Sequence, residues 1–110
     1  MDKVLLVEDE DIIRRGLLYA VDWLKEDCVV VGEAMDGIDG LKKIDTLRPD
    51  IVITDVKMPY LDGLGMLEQS RDRGYEAIIL SGYDEFSYAK RAISLDVAEY
   101  LLKPVDFDAL

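Results

Sequence analysis

The sequence contains no histidine and a single cysteine, Cys28. The first absence removes histidine-based catalysis and most zinc sites. The second rules out a disulfide within the chain. Cys28 heads the apolar run "CVVVGEA", so it reads as a small buried strand residue rather than a reactive thiol. Basic charge is scarce as well: 13 Lys and Arg stand against 24 Asp and Glu, a formal net charge of −11. Such a surface repels a phosphate backbone and argues against direct contact with nucleic acid. No run approaches the roughly 18 apolar residues of a transmembrane helix. The amino terminus also lacks the basic-then-apolar order of a signal peptide. The expectation is a cytoplasmic protein without membrane contact.

What is present is a hydrophobic half, 50% of 110 residues, enough to give one domain a real core. Short apolar, β-rich runs recur at Val4–Val7, Cys28–Val31, Ile51–Thr54, Ala77–Leu80 and Ala98–Leu102. Runs without polar alternation read as strands buried on both faces, as in a parallel sheet. Helical periodicity fills the gaps. The first helix is expected over about Ile12–Leu24, with Ile13, Leu17, Leu18 and Val21 on one face and Asp11 placed to cap it. The second spans about Gly37–Leu47, with Ile38, Leu41, Ile44 and Leu47 inward and Arg48-Pro49-Asp50 as its stop. The third covers about Gly65–Arg73 and ends at Gly74. The fourth covers about Asp84–Leu95, with Phe86, Ala89, Ala92 and Ile93. The β-α repeat predicts a doubly wound α/β domain of three layers, with five parallel strands and right-handed crossovers. After the fifth strand, Asp106 in "DFDAL" resembles a helix N-cap with almost no helix behind it. The expectation is one domain over residues 1–110 whose fifth helix is cut short.

In open parallel sheets, function gathers beyond the carboxyl ends of the strands. Strand one ends in Glu8-Asp9, strand three in Asp55, strand four in Ser81-Gly82 and strand five in Lys103-Pro104. Aligned strand ends put three carboxylates, a hydroxyl and an ammonium on one rim. Clustered carboxylates are costly unless a cation joins them. Hard oxygen ligands suit magnesium, which keeps several waters and accepts phosphate oxygens. Lysine adds a point charge and serine a hydrogen bond. These parts describe phosphoryl transfer onto a carboxylate. Glu10 is expected just outside the site, with Asp11 starting the helix. Each residue alone has a plainer reading. Asp55 fits a loop, Ser81-Gly82 and "MPYLDG" fit turns, Lys103 fits a surface and Tyr100 fits strand packing. Tyr83, Phe86 and Tyr88 pack a helix or face a partner. The ordered conjunction at adjacent strand ends outweighs these separate readings.

That ordered set resembles the receiver domain of two-component response regulators, over about Lys3–Asp106. The family pattern is an acidic pair, then an aspartate followed by Met-Pro and Asp-Gly, then Ser or Thr, then Lys-Pro. Here these are Glu8-Asp9, Asp55 with "MPYLDG", Ser81 and "KP". The segments "ILSGYDEFSYAKRAI" and "YLLKPVD" further resemble receivers fused to AraC-type DNA-binding domains. The resemblance implies a flavodoxin-like receiver fold with strand order 2-1-3-4-5. It implies Asp55 as phosphate acceptor, and Mg2+ held by Glu8, Asp9, Asp55 and the backbone carbonyl of Lys57. Many members have aspartate where Glu8 stands. Ser81 and Lys103 would contact the phosphoryl group, and Ser81 and Tyr100 would form the switch pair. Pro59, Gly63 and Pro104 would be structural positions. The implied partners are a sensor histidine kinase, an attached output domain and a second copy on activation. The implied role is regulatory, with slow self-dephosphorylation and no substrate turnover.

Three other functions fit less well. A dehalogenase-like phosphohydrolase needs a second aspartate two residues after its nucleophile, where Lys57 stands. A flavodoxin-like cofactor module needs a phosphate-cradling loop after strand one, where Glu8-Asp9-Glu10-Asp11 would repel phosphate. A pseudo-receiver acting only by contact would not need Asp9, Asp55, Ser81 and Lys103 together.

Overall fold

A computed structural model describes residues 1–81 and 99–102; for Ser81 and residues 99–102 the description is of the backbone. The elements are β1 (Asp2–Val7), α1 (Asp11–Ala20), β2 (Cys28–Ala34), α2 (Gly37–Leu47), β3 (Ile51–Asp55), α3 (Gly63–Ser70), β4 (Glu76–Ser81) and β5 (Glu99–Leu102). A short 3-10 turn, Arg71–Arg73, follows α3. The helix expected over Asp84–Leu95, with Tyr83, Phe86 and Tyr88, lies outside the described residues, as do Lys103, Pro104 and the expected fifth helix. Among the described residues, no helix is long and apolar enough to cross a membrane.

All strands pair in parallel in the order β2-β1-β3-β4-β5. The apolar runs form this sheet because both of its faces are covered. Leu5, Val7, Val52, Ala77 and Ile79 point to one side, where Ile44 of α2 and Leu64, Met66 and Leu67 of α3 meet them. Val4, Leu6, Ile53 and Leu80 alternate to the other, against Leu17 of α1 with Ile13 and Leu18 beside it. Each fully buried Leu or Val adds about 1.5–3 kcal/mol of transfer free energy. Cys28 opens β2 and is buried, as its apolar context implied. Burial and the nearby carboxylate of Asp2 hold its thiol pKa above the ordinary value.

Helix ends depart from the periodicity. Helix α1 stops at Ala20, not Leu24, because Val21 is already extended. The Trp23 indole N–H donates to the Leu17 carbonyl at 3.2 Å, so it takes an acceptor of the last turn. The chain then turns back through Asp27, at φ 57°. At its start, Glu10 occupies the N-cap position and Asp11 is the first helical residue. Asp11 therefore does not cap the helix; its carboxylate pairs with Arg14 and, at 3.0 Å, with Arg15. Helix α2 turns Gly37, Gly40 and Ile44 inward and leaves Ile38 46% exposed, so Ile38 is not on the packed face. Helix α3 begins two residues before its expected start because Asp62 caps it, accepting from the Gly65 N–H at 2.7 Å.

Candidate functional site

The site is built by two loops that leave the central strands. At the end of β1, the Glu8 N–H donates to the Ala34 carbonyl of β2 at 2.9 Å, which keeps residue 8 in line with the sheet. Its side chain is fully buried. The Glu10 N–H donates to Glu8 Oε1 at 3.2 Å. Asp9 and Glu10 are exposed.

At the end of β3, Asp55 is 4% exposed. Its Oδ1 accepts from the Val56 N–H at 2.7 Å, which fixes the plane of the carboxylate. Its backbone carbonyl accepts from the Thr54 hydroxyl at 2.9 Å. Helix α3 starts hard against that carbonyl. A Cβ on Gly63 would lie 1.8 Å from Asp55 O, so only glycine permits this approach. The Gly63 N–H closes the loop by donating to Val56 O at 2.7 Å. Pro59 and Tyr60 are exposed in that loop, and Tyr60 takes a left-handed φ of 71°. Leu61 tucks under α2, where its carbonyl accepts from the Gly37 N–H at 3.1 Å.

One carboxylate oxygen from each of Glu8, Asp9, Glu10 and Asp55 lies within 4.8 Å of the others. Glu10 thus belongs to the cluster, against the expectation that it lies outside. Its backbone is extended, φ −83° and ψ 113°, so residues 8 and 10 keep strand alternation and reach the same side. That period of two was the signal in the sequence. Lys57 is exposed two residues past Asp55. Ser81 ends β4 one residue after Leu80, the register partner of Asp55. Tyr100 on β5 registers with Ile79 on β4.

The donor set fits a small divalent cation. Magnesium binds oxygens at about 2.0–2.1 Å, which puts opposite ligands about 4.2 Å apart. The clustered oxygens need to close only slightly from their 4.8 Å limit. Without a cation, each pair of charges at this spacing repels by about 1–4 kcal/mol, depending on screening by water. A buried carboxylate beside exposed ones can therefore take a cation or a phosphoryl group that arrives with one.

Residues 4–110 match the family model described as "Response regulator receiver domain". An uncharacterized response regulatory protein of Staphylococcus epidermidis is 41% identical over 110 residues, all of this chain and 44% of that protein. The transcriptional regulatory protein HptR of Staphylococcus aureus is 41% identical over 106 residues, 96% of this chain and 42% of that protein. The chain thus spans less than half the length of the curated relatives it matches. Among solved structures, the REC domain of AraT, a response regulator from Geobacillus stearothermophilus, superposes with a TM-score of 0.91 at 42% identity, covering 98% of this chain and 85% of that one. The signal receiver domain of the putative response regulator NarL from Mycobacterium tuberculosis gives a TM-score of 0.87 at 28% identity, covering 97% and 87%.

Proposed function

The chain belongs to the response regulator receiver family, and from that premise we propose that it accepts a phosphoryl group on Asp55 from a partner histidine kinase. The observation that carries this reading is the Asp55 carboxylate, nearly buried at a central strand end and clustered with Glu8, Asp9 and Glu10. Glu8, Asp9, Asp55 and the Lys57 backbone carbonyl hold Mg2+ in this reading. A bound Mg2+ neutralises carboxylate and phosphoryl oxygens together.

An Asp55 oxygen attacks the phosphorus of a phosphohistidine on the kinase. The O–P bond forms as the P–N bond breaks, and the electron pair leaves with the imidazole nitrogen. In this reading the phosphohistidine belongs to a separate kinase, and these 110 residues contain no histidine. The Val56 N–H holds the attacking carboxylate in one plane, which lowers the cost of orientation. Lys103 and Ser81 contact the new phosphoryl oxygens. Slow attack by water breaks the O–P bond, releases inorganic phosphate and restores the carboxylate. The protein is thus a regulatory acceptor rather than an enzyme with a turned-over substrate.

The phosphoryl group adds charge and acceptor oxygens. Ser81 moves to bond it, and Tyr100 turns into the space vacated, which changes the surface that partners read. Pro59, Gly63 and Pro104 shape the loops that aim these groups. The output is an attached AraC-type transcription regulator that dimerises on activation in the cytoplasm. The segments "ILSGYDEFSYAKRAI" and "YLLKPVD" support this, as does the likeness to a longer transcriptional regulatory protein. With a net charge of −11, the receiver itself makes no nucleic-acid contact.

The test is intact mass after incubation with Mg2+ and acetyl phosphate. One phosphoryl group should add to the wild type and none to Asp55→Asn. Equal labelling of the variant would falsify the assignment. Beryllofluoride with Mg2+ should shift the amide signals of Ser81 and Tyr100; unchanged signals would remove the switch.

A further inference from the structure

We infer that Arg14 is a positioning residue for the acidic site, a role that rests on the metal-assisted reading of Asp55. Arg14 is the one buried cation among the described residues, 8% exposed on α1. Its guanidinium reaches three separate segments. Nη1 donates to the Glu8 backbone carbonyl at 2.9 Å. Nε donates to Glu33 Oε1 at 3.1 Å, near the end of β2. Nη2 pairs with the Asp11 carboxylate at the start of α1.

The Glu8 peptide is thereby held from both sides. Its N–H is fixed by Ala34 O and its C=O by Arg14. The next two residues bring Asp9 and Glu10 to the cluster, so the direction in which the loop leaves β1 is set at this carbonyl. Only a guanidinium has the planar fork to serve all three acceptors; a lysine ammonium on a flexible stem serves fewer of them in fixed geometry. The buried positive charge also sits beside a loop of four consecutive acids, Glu8–Asp11, and favours their gathering. Arg14 touches neither the metal nor the phosphoryl group; it acts through the carbonyl of a ligand-bearing residue. Supports of this kind typically change metal affinity by about 10–100-fold when removed.

The experiment is Mn2+ titration by electron paramagnetic resonance, well below the melting temperature, on the wild type, Arg14→Gln and Arg14→Lys. Arg14→Gln should bind Mn2+ at least about 10-fold more weakly, with Arg14→Lys in between. A merely structural role would lower the melting temperature of both variants and leave the affinity of the folded protein unchanged, and that result overturns the inference. If Arg14→Gln does not fold, Arg14→Lys decides alone: wild-type affinity overturns the inference, weaker binding upholds it. A wild type that binds no Mn2+ overturns the metal-assisted reading itself, and this inference with it.

Discussion

At the amino ends of the strands, Asp50 accepts from the Lys3 backbone N–H at 2.7 Å, and Lys3 Nζ donates to Leu47 O at 3.2 Å. The backbone there is closed in turn: Asp50 N–H to Lys3 O at 2.8 Å, Glu76 N–H to Asp50 O and Asp2 N–H to Asp27 O, both at 2.9 Å. At the carboxyl ends of the same strands, four carboxylates crowd within 4.8 Å. One end spends its polar groups on joining strands to helices. The other gathers like charge, which a divalent cation would draw together. Stability and function are thus separated along the strand axis, from Asp50 just before β3 to Asp55 at its end. This separation sets the sign expected of mutations at each end.

The largest effect should come from Gly63→Ala. Its Cβ would meet Asp55 O at 1.8 Å, and that atom is backbone. Either α3 or the end of β3 must move, at a cost of about 3 kcal/mol. Urea denaturation should show this loss, and Asp55 labelling by acetyl phosphate should fall with it. Unchanged labelling in a destabilised Gly63→Ala protein would mean that the α3 contact supports the fold alone.

The two ends should next give opposite signs. Asp50→Ala removes the acceptor of the Lys3 N–H and should cost about 1 kcal/mol, with Asp55 labelling intact. Asp9→Asn removes one charge from the cluster and should raise stability by about 0.5–1 kcal/mol in EDTA. Adding Mg2+ reverses the order, because the wild type gains binding free energy that the variant lacks. Urea midpoints with and without Mg2+ measure both. A drop in the Asp9→Asn midpoint in EDTA would break the comparison, since the cluster would then be stabilising without a cation.

Much of this architecture was legible in the sequence, for physical reasons that differ by element. The five strands stand out because a sheet buried on both faces needs unbroken apolar runs, such as Leu5-Leu6-Val7 and Ile51–Thr54. The proximity of Glu8, Asp9 and Asp55 follows from parallel strands with aligned ends. Boundaries were less legible. Periodicity carries α1 on to Leu24, but one indole hydrogen bond from Trp23 to Leu17 O ends the helix earlier. Asp62 hides its capping role inside a loop motif. Position 14 shares the inward face of α1 with Leu17, but the sequence does not show what pairs a buried arginine there, because Glu8 follows β1 and Glu33 lies on β2. Glu10, expected just outside the site, joins the cluster because its backbone stays extended and keeps it on the side of Glu8.

The smallest effect tests whether backbone strain also sits at the carboxyl end. Among the described residues, three non-glycine residues have positive φ. Two lie on the amino side and are of tolerated kinds. Arg48 closes α2, with its N–H on Ile44 O at 3.1 Å, and Asp27 is of a type that accepts left-handed turns. Tyr60, in the loop after Asp55, is bulky and 85% exposed, so its conformation is strained while its ring contributes little packing. Tyr60→Gly relieves the steric cost but loosens the unfolded chain, and the balance should favour folding by about 0.5 kcal/mol. Tyr60→Ala keeps a Cβ and should gain nothing, so the difference between the two isolates φ from side-chain effects. A lower urea midpoint for Tyr60→Gly than for Tyr60→Ala would put unfolded-chain entropy above strain in this loop.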